Sequence, residues 1–216
     1  MRIRFYDSVT AMQLALMRGE IDLILTPAFL GEYMLKNNPD CVLKGFTISK
    51  IPVALSFGFM EEKEDLQKSF NAALRELNDN GKLSMLLRDY VTGYNKDNPP
   101  AIKIDKFDDA ETINVAVTGD LPPIDYVAAD GTPAGFNTAL LAEIGRKLHV
   151  NINPVNIETG ARMTALKSGR VDVIFWLEVL GAIKDGHEIN QADVSKGVIY
   201  SRPYWGWDQI FFIGRK

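Results

Sequence analysis

With 216 residues, 46% of them hydrophobic, the chain is long enough for one large or two small domains and rich enough in apolar side chains to bury a core. Its 28 acidic against 24 basic residues give a net charge of -4 at pH 7, and no Lys/Arg cluster interleaves with aromatics, so nucleic acid is excluded as a partner. A lone Cys41 excludes an internal disulfide framework and a multi-cysteine zinc site, and no apolar run reaches the roughly 18 residues a membrane span needs.

In chain order, Arg2 to Asp7 predicts a short strand, and Val9 to Arg18 a helix with Ser8 as its N-cap. The opening MRIRFYDSV carries two arginines and no apolar stretch of a secretory signal, so an exported form is expected to have its signal outside this sequence. Ile21 to Thr26 reads as a buried strand, Pro27 to Asn37 as a second helix, and NNPD at 37 to 40 as a turn. Val42 to Thr47 reads as extended and VALSFGF at 53 to 59 as another strand. Leu66, Phe70, Ala73, Leu74 and Leu77 fall at helical spacing across Glu64 to Asn78, behind an acidic first turn that suits the helix dipole. Gly81 ends that helix, and Lys82 to Val91 forms another with Leu83, Leu86, Leu87 and Tyr90 on one face.

Residues 93 to 111, with Pro99 and Pro100 paired and no sustained period, read as a linker. Their acidic run from Asp105 to Glu111 lacks the Gly and distal Glu of a calcium loop and reads as solvated. Beyond it come a strand from Ile113 to Thr118, a GDLPP loop, an ADGTPAG turn, a helix from Asn137 to Leu148 and a strand from Val150 to Asn156. A helix from Ala161 to Lys167 and strands at Val171 to Trp176 and Ile210 to Ile213 follow, with 177 to 203 irregular.

The ten residues ALMRGEIDLI from Ala15 to Ile24 recur as ALKSGRVDVI from Ala165 to Ile174. Each copy reads as a helix end, a left-handed Gly and a buried strand opening with Asp22 or Asp172, both expected to serve the turn. Chemistry is sparse: His149 and His187 are the only near-neutral bases, and there is no GxSxG elbow, Cys/His pair or HExxH. No catalytic residue, metal ligand or cofactor is assigned, and the chain reads as a non-enzyme.

INVAVTGDLPPIDYVAADGTPAGF, residues 113 to 136, resembles the opening of type II solute-binding proteins, specifically the family 3 group serving amino-acid ABC transporters. Asp120, Pro122, Pro123, Asp130, Gly131, Gly135 and Phe136 carry the likeness, ALKSGRVDVI and YSRPYW extend it to Trp205, and FNAALRELNDNGKLSMLLRDYV resembles the family's closing helices. The tail thus precedes the head. The resemblance implies an α/β fold with three-layer lobes and mixed sheets, permuted or truncated, with the second lobe incomplete. Residues 1 to 50 would be a partial lobe-two segment, 53 to 92 the closing elements of lobe one, 93 to 111 the linker, and 112 to 216 the opening elements and crossover. The uncovered second lobe would be completed by a second copy through domain swapping or by an adjacent tandem module.

The same resemblance implies capture of a small polar, amino-acid-like solute by hinge closure, outside the cytoplasm and membrane-anchored in full-length form, for an ABC transporter permease. A ligand-sensing receptor module, and a dehydratase-like enzyme on the same fold, are the alternatives. Three of the family's ligand contacts are absent: LEVLGAIKDGHE replaces the TxxR arginine, Pro27 stands at the ammonium-binding acid, and Leu121 at the stacking aromatic. What remains near the expected cleft is Asp120, Tyr126, Trp176, Glu178 and Tyr204, a carboxylate-and-aromatic set suited to an amine-bearing solute. Trp176 and Glu178 are expected at the carboxyl end of their strand, Trp205 and Trp207 in packing, and Arg162 in solvent, with a cleft role as substitute carboxylate binder as its alternative.

Overall fold

A computed structural model describes residues 3–6, 8–95, 99–128, 130–180 and 196–216, apart from the side chains at 49–53, 176–180 and 207–208. Helix α1 (Val9–Arg18) starts where Ser8, in extended backbone, accepts the N–H of Ala11 at 3.0 Å. It ends at Gly19, whose φ of 75° only a residue without a Cβ adopts easily. Strand β1 (Leu23–Pro27) and helix α2 (Ala28–Asn37) follow. The strands expected at 42–47 and 53–59 are one: β2 (Cys41–Met60) runs unbroken for 20 residues. Helices α3 (Glu64–Asp79) and α4 (Lys82–Leu87) come next, the latter ending in a π turn at Arg88–Thr92.

After the double proline come β3 (Thr112–Val117) and a small antiparallel sheet of β4 (Asp120–Leu121), β5 (Asp125–Val127) and β6 (Pro133–Ala134). Then follow α5 (Phe136–Leu148), β7 (Asn151–Asn156), α6 (Arg162–Lys167), β8 (Val173–Leu180), β9 (Val198–Tyr200) and β10 (Trp205–Arg215). The large sheet has the order β1-β10-β2-β8-β3-β7, with β9 alongside β2. β7, β3 and β8 are parallel; β2 joins β8 antiparallel, β10 joins β2, and β1 joins β10. Strands from both sides of Pro99-Pro100 therefore share one sheet.

Alternation sets the layers. Val115, Val117, Val173 and Phe175 point to one face, where Phe70, Leu74, Leu140 and Ile144 of α3 and α5 bury them. Ala116 and Ile174 point to the other, against Ala165 and Leu166 of α6. Helix, sheet, helix makes three layers. Phe57 of β2 is fully buried at the centre, its ring 5.2 Å from Phe70, 5.0 Å from Phe175 and 5.0 Å from Tyr204.

The repeated decapeptide folds alike in both places. Glu20 and Ile21 donate to the carbonyl of Ala15 as Arg170 and Val171 donate to that of Ala165, and Gly169 is left-handed like Gly19. The surroundings differ: β1 lies at the sheet's end, whereas β8 lies between β2 and β3. Asp22 is exposed, while the Asp172 carboxylate accepts the N–H of Asn114 at 2.9 Å and stands 3.5 Å from Lys63 Nζ, fastening β8 to β3.

Three expectations need correction. Ile3 to Tyr6 form no strand and pair with none of the described strands; Arg2 and Asp7 lie outside the described residues. Residues 99–111 of the linker are irregular but fastened down: Ile102 and Ile104 pack on the core, Arg146 holds Asp105, and the Asn151 side chain bonds to Phe107 and Ala110. Within 177 to 203, β8 continues to Leu180 and β9 forms at Val198–Tyr200; 181 to 195, with His187, lie outside the described residues. Among the described residues, no helix is long and apolar enough to cross a membrane. Since Phe57 joins three rings across two layers, Phe57→Ala is expected to lower unfolding free energy by about 3–5 kcal/mol, read from urea denaturation midpoints.

Candidate functional site

β3 and β8 run parallel, and the chain that leaves the carboxyl end of β3 occupies the side of the sheet where open α/β folds present ligand sites. Leaving β3, the chain turns at Thr118 and Gly119 into β4, and its geometry is fixed by Asp125. That carboxylate, 2% exposed, accepts the Thr118 N–H at 2.7 Å, the Thr118 hydroxyl at 2.9 Å and the Gly119 N–H at 3.1 Å. Burial pushes the Asp125 pKa up, and the Thr118 and Gly119 donors pull it back.

The hairpin so anchored carries Asp120 directly opposite Tyr126, so the two side chains share a face. Both are half-buried. Burial raises the pKa of Asp120, and Arg162 opposes the shift. Arg162 is buried at the start of α6 and not solvated as its sequence position suggests, because its Nη1 donates to the Phe175 carbonyl of β8 at 2.7 Å. Its charge is felt at Asp120, where it favours the ionised carboxylate. Tyr126 carries a raised pKa from burial, partly offset by a hydrogen bond with Tyr94.

Tyr94, from the segment after α4, is wedged between two other tyrosines. Its ring lies 6.0 Å from Tyr126 of β5 and 5.7 Å from Tyr33 of α2, and Lys36 of α2 donates to its carbonyl. Helix α2 and the hairpin therefore meet through one aromatic side chain. Nothing in the polar composition of residues 93 to 95 announces that role; its signal is the lone aromatic in an otherwise polar stretch.

The remaining expected site residues are placed apart from this pair. Tyr204, 4% exposed, is enclosed by Phe57, Phe136 and Phe175, so its ring is packed in the core. Trp205 packs on Phe29 at 4.6 Å and Phe136 at 5.8 Å. Trp176 and Glu178 fall within β8, not beyond its end, because pairing with β2 extends the strand: Leu177 is opposite Ser56 and Glu178 opposite Leu55. Their side chains, and that of Trp207, lie outside the described residues. His149 caps α5 in left-handed backbone and its ring lies tilted against Phe107 at 4.3 Å. An open groove of about 560 Å³ runs beside α6, lined by Glu158, Thr164, Ser168 and Arg170, on a different face of that helix from Arg162. Among the described residues no His/Cys/Asp/Glu cluster could hold a metal ion.

Comparison with known proteins agrees with this architecture. Residues 113–176 match the bacterial extracellular solute-binding proteins, family 3. No curated protein matches the chain by sequence. Among solved structures, the PBP AgaA of A. tumefacien R10, in complex with agropinic acid, is 13% identical with a TM-score of 0.50, over 98% of this chain and 54% of its own. NikZ of Campylobacter jejuni, in complex with Ni(L-His), is 13% identical with a TM-score of 0.52, over 99% of this chain and 56% of its own. The chain thus spans about half the length of either structure. Its fold is that of the type II periplasmic binding proteins, and the family its residues 113–176 match consists of solute-binding proteins, not enzymes.

Because three donors depend on one buried acceptor, Asp125→Ala is expected to destabilise the protein by about 2–4 kcal/mol. Its signature is accelerated hydrogen exchange confined at first to Thr118–Val127, measured by mass spectrometry.

Proposed function

We propose that this chain binds a small polar, amine-bearing solute outside the cytoplasm and hands it to an ABC transporter permease. The observation that carries the reading is the half-buried Asp120, at the carboxyl end of the sheet beside Tyr126, with the buried Arg162 behind it. A carboxylate short of solvent is completed by an ammonium, and an aromatic face beside it accepts the same cation. Trp176 and Glu178 enter the proposal through their sequence position alone, and Tyr204 as the packed wall behind it. Leu121, half-buried, and Pro27, closing β1, take the places of two family contacts, which supports a solute other than a standard α-amino acid.

Closure would take place about the pair β2 and β10, whose register breaks where Trp207 faces Val53 and Gln209 faces Ile48. We also read the chain order as closing elements followed by opening elements of one bilobed receptor, a reading supported by the shared sheet.

Thermal-shift screening against amines, amino acids and short peptides tests the proposal: a true solute at a hundred times its Kd should add about 2.7 kcal/mol of stability. Asp120→Asn should weaken that solute by about 10- to 100-fold, the worth of one charge-assisted hydrogen bond. Acid should weaken it too. Since burial raises the pKa of Asp120 above the usual 3.8, protonation removes the anion as pH falls through that raised value, so affinity measured by calorimetry should decline on acidification earlier than for an exposed carboxylate. A folded protein that shifts with no compound in such a panel would count against the reading.

A further inference from the structure

The exposed large apolar side chains of the described residues are unevenly placed: all but Val127 lie between Ile3 and Ile48. Three of them, Leu43 at 44%, Phe46 at 60% and Ile48 at 60%, form a row on the first half of β2. There β2 pairs with β10 on one side only; β8 and β9 join it from Val53 onward, and among the described residues no strand takes its other edge over Cys41–Ile48. Unpaired N–H and C=O groups beside an apolar row are a template for another strand.

The pattern along this edge is its own complement. Leu43 pairs with the buried Ile213, and Phe46 with Phe211, whose ring fills the space beside Gly31 of α2, so both point to the helix-bearing face. They share that face although three residues apart because Lys44 is an extra residue: Phe212 faces Gly45 and Ile213 faces Leu43. The apolar residues of that face are thus Cys41, Leu43, Phe46 and Ile48, symmetric about the Lys44–Gly45 bond. Lys44 does not block the edge, since its aliphatic stem lies across Gly214 of β10.

We propose that β2 adds, antiparallel, to β2 of a second copy about a twofold axis between Lys44 and Gly45. In that register Leu43 of each copy faces Phe46 of the other, Cys41 faces Ile48, Val42 faces Thr47, and Lys44 faces a glycine instead of another lysine. Shifting the register by one residue sets Lys44 against Phe46 and breaks the match. The far edge of the sheet is a poorer candidate: β1 is five residues long and ends in Pro27, which has no N–H to donate.

Sedimentation velocity on the whole chain over a dilution series, with variants Leu43→Lys and Phe46→Glu, tests this. Both positions are exposed, so circular dichroism should find both variants folded. The unsubstituted chain is expected to dimerise and each variant alone to be monomeric. An equimolar mixture of the two should recover a heterodimer, because Lys at 43 of one copy then faces Glu at 46 of the other while the native Phe46 and Leu43 meet on the opposite side of the axis. A native chain that stays monomeric at millimolar concentration assigns the edge to a different occupant and overturns the proposal. Variants that dimerise like the native chain, or a mixture that stays monomeric, overturn it equally.

Discussion

The antiparallel pairing of β2 with β10 is the constraint on which the rest of the molecule depends. β2 is the only strand joined to β10, β8 and β9 among the described residues, and β10 alone connects β1 to the sheet. Without this pair, β7, β3 and β8 would form one small parallel sheet, and β1 with its two helices would have nothing to close against. Its two register breaks let one continuous pair serve both regions, since a bulge sharpens the local twist and re-aims what lies beyond it. One end of the pair is packed by α3, α5 and α6; the other carries α1 and α2.

Charge is admitted to the interior only where backbone geometry supplies partners. Asp125 is buried because the turn after β3 brings two N–H groups and a hydroxyl to it, and Arg162 because the Phe175 carbonyl within β8 accepts from it. Each would be strongly destabilising if half of its partners were missing. Asp120 is half-buried, its pKa raised by that burial and lowered by the charge of Arg162.

Local signals were the legible ones. Ser8 before an apolar-periodic run, Gly19 and Gly169 after one, and the spacing of Phe70, Ala73, Leu74 and Leu77 each report on neighbours a few residues away, and those helices begin and end within a residue or two of expectation. The sequence reads 42–47 and 53–59 as two strands, and what joins them into β2 is pairing with β10, far along the chain, on both sides of the gap between them. Trp176 and Glu178 were read at a strand end for the same reason. Of the corner after β3, Asp120 and Tyr126 are among the residues that the family resemblance places near a cleft, and the hairpin sets them opposite each other. The burial of Asp125, Arg162 and Tyr94 is not legible in the sequence, since their partners are a turn, a carbonyl and two tyrosines that only the folded chain assembles.

Tyr94 has a bearing on how tightly anything could be held at that corner. Its ring already occupies the space between Tyr33 and Tyr126, and Lys36 tethers its backbone there. A guest seated between those outer rings must first evict it, so any measured affinity would be the difference between two competing stacks. For a solute bound there as proposed, loss of that phenol would remove a competitor without adding a single contact to the guest.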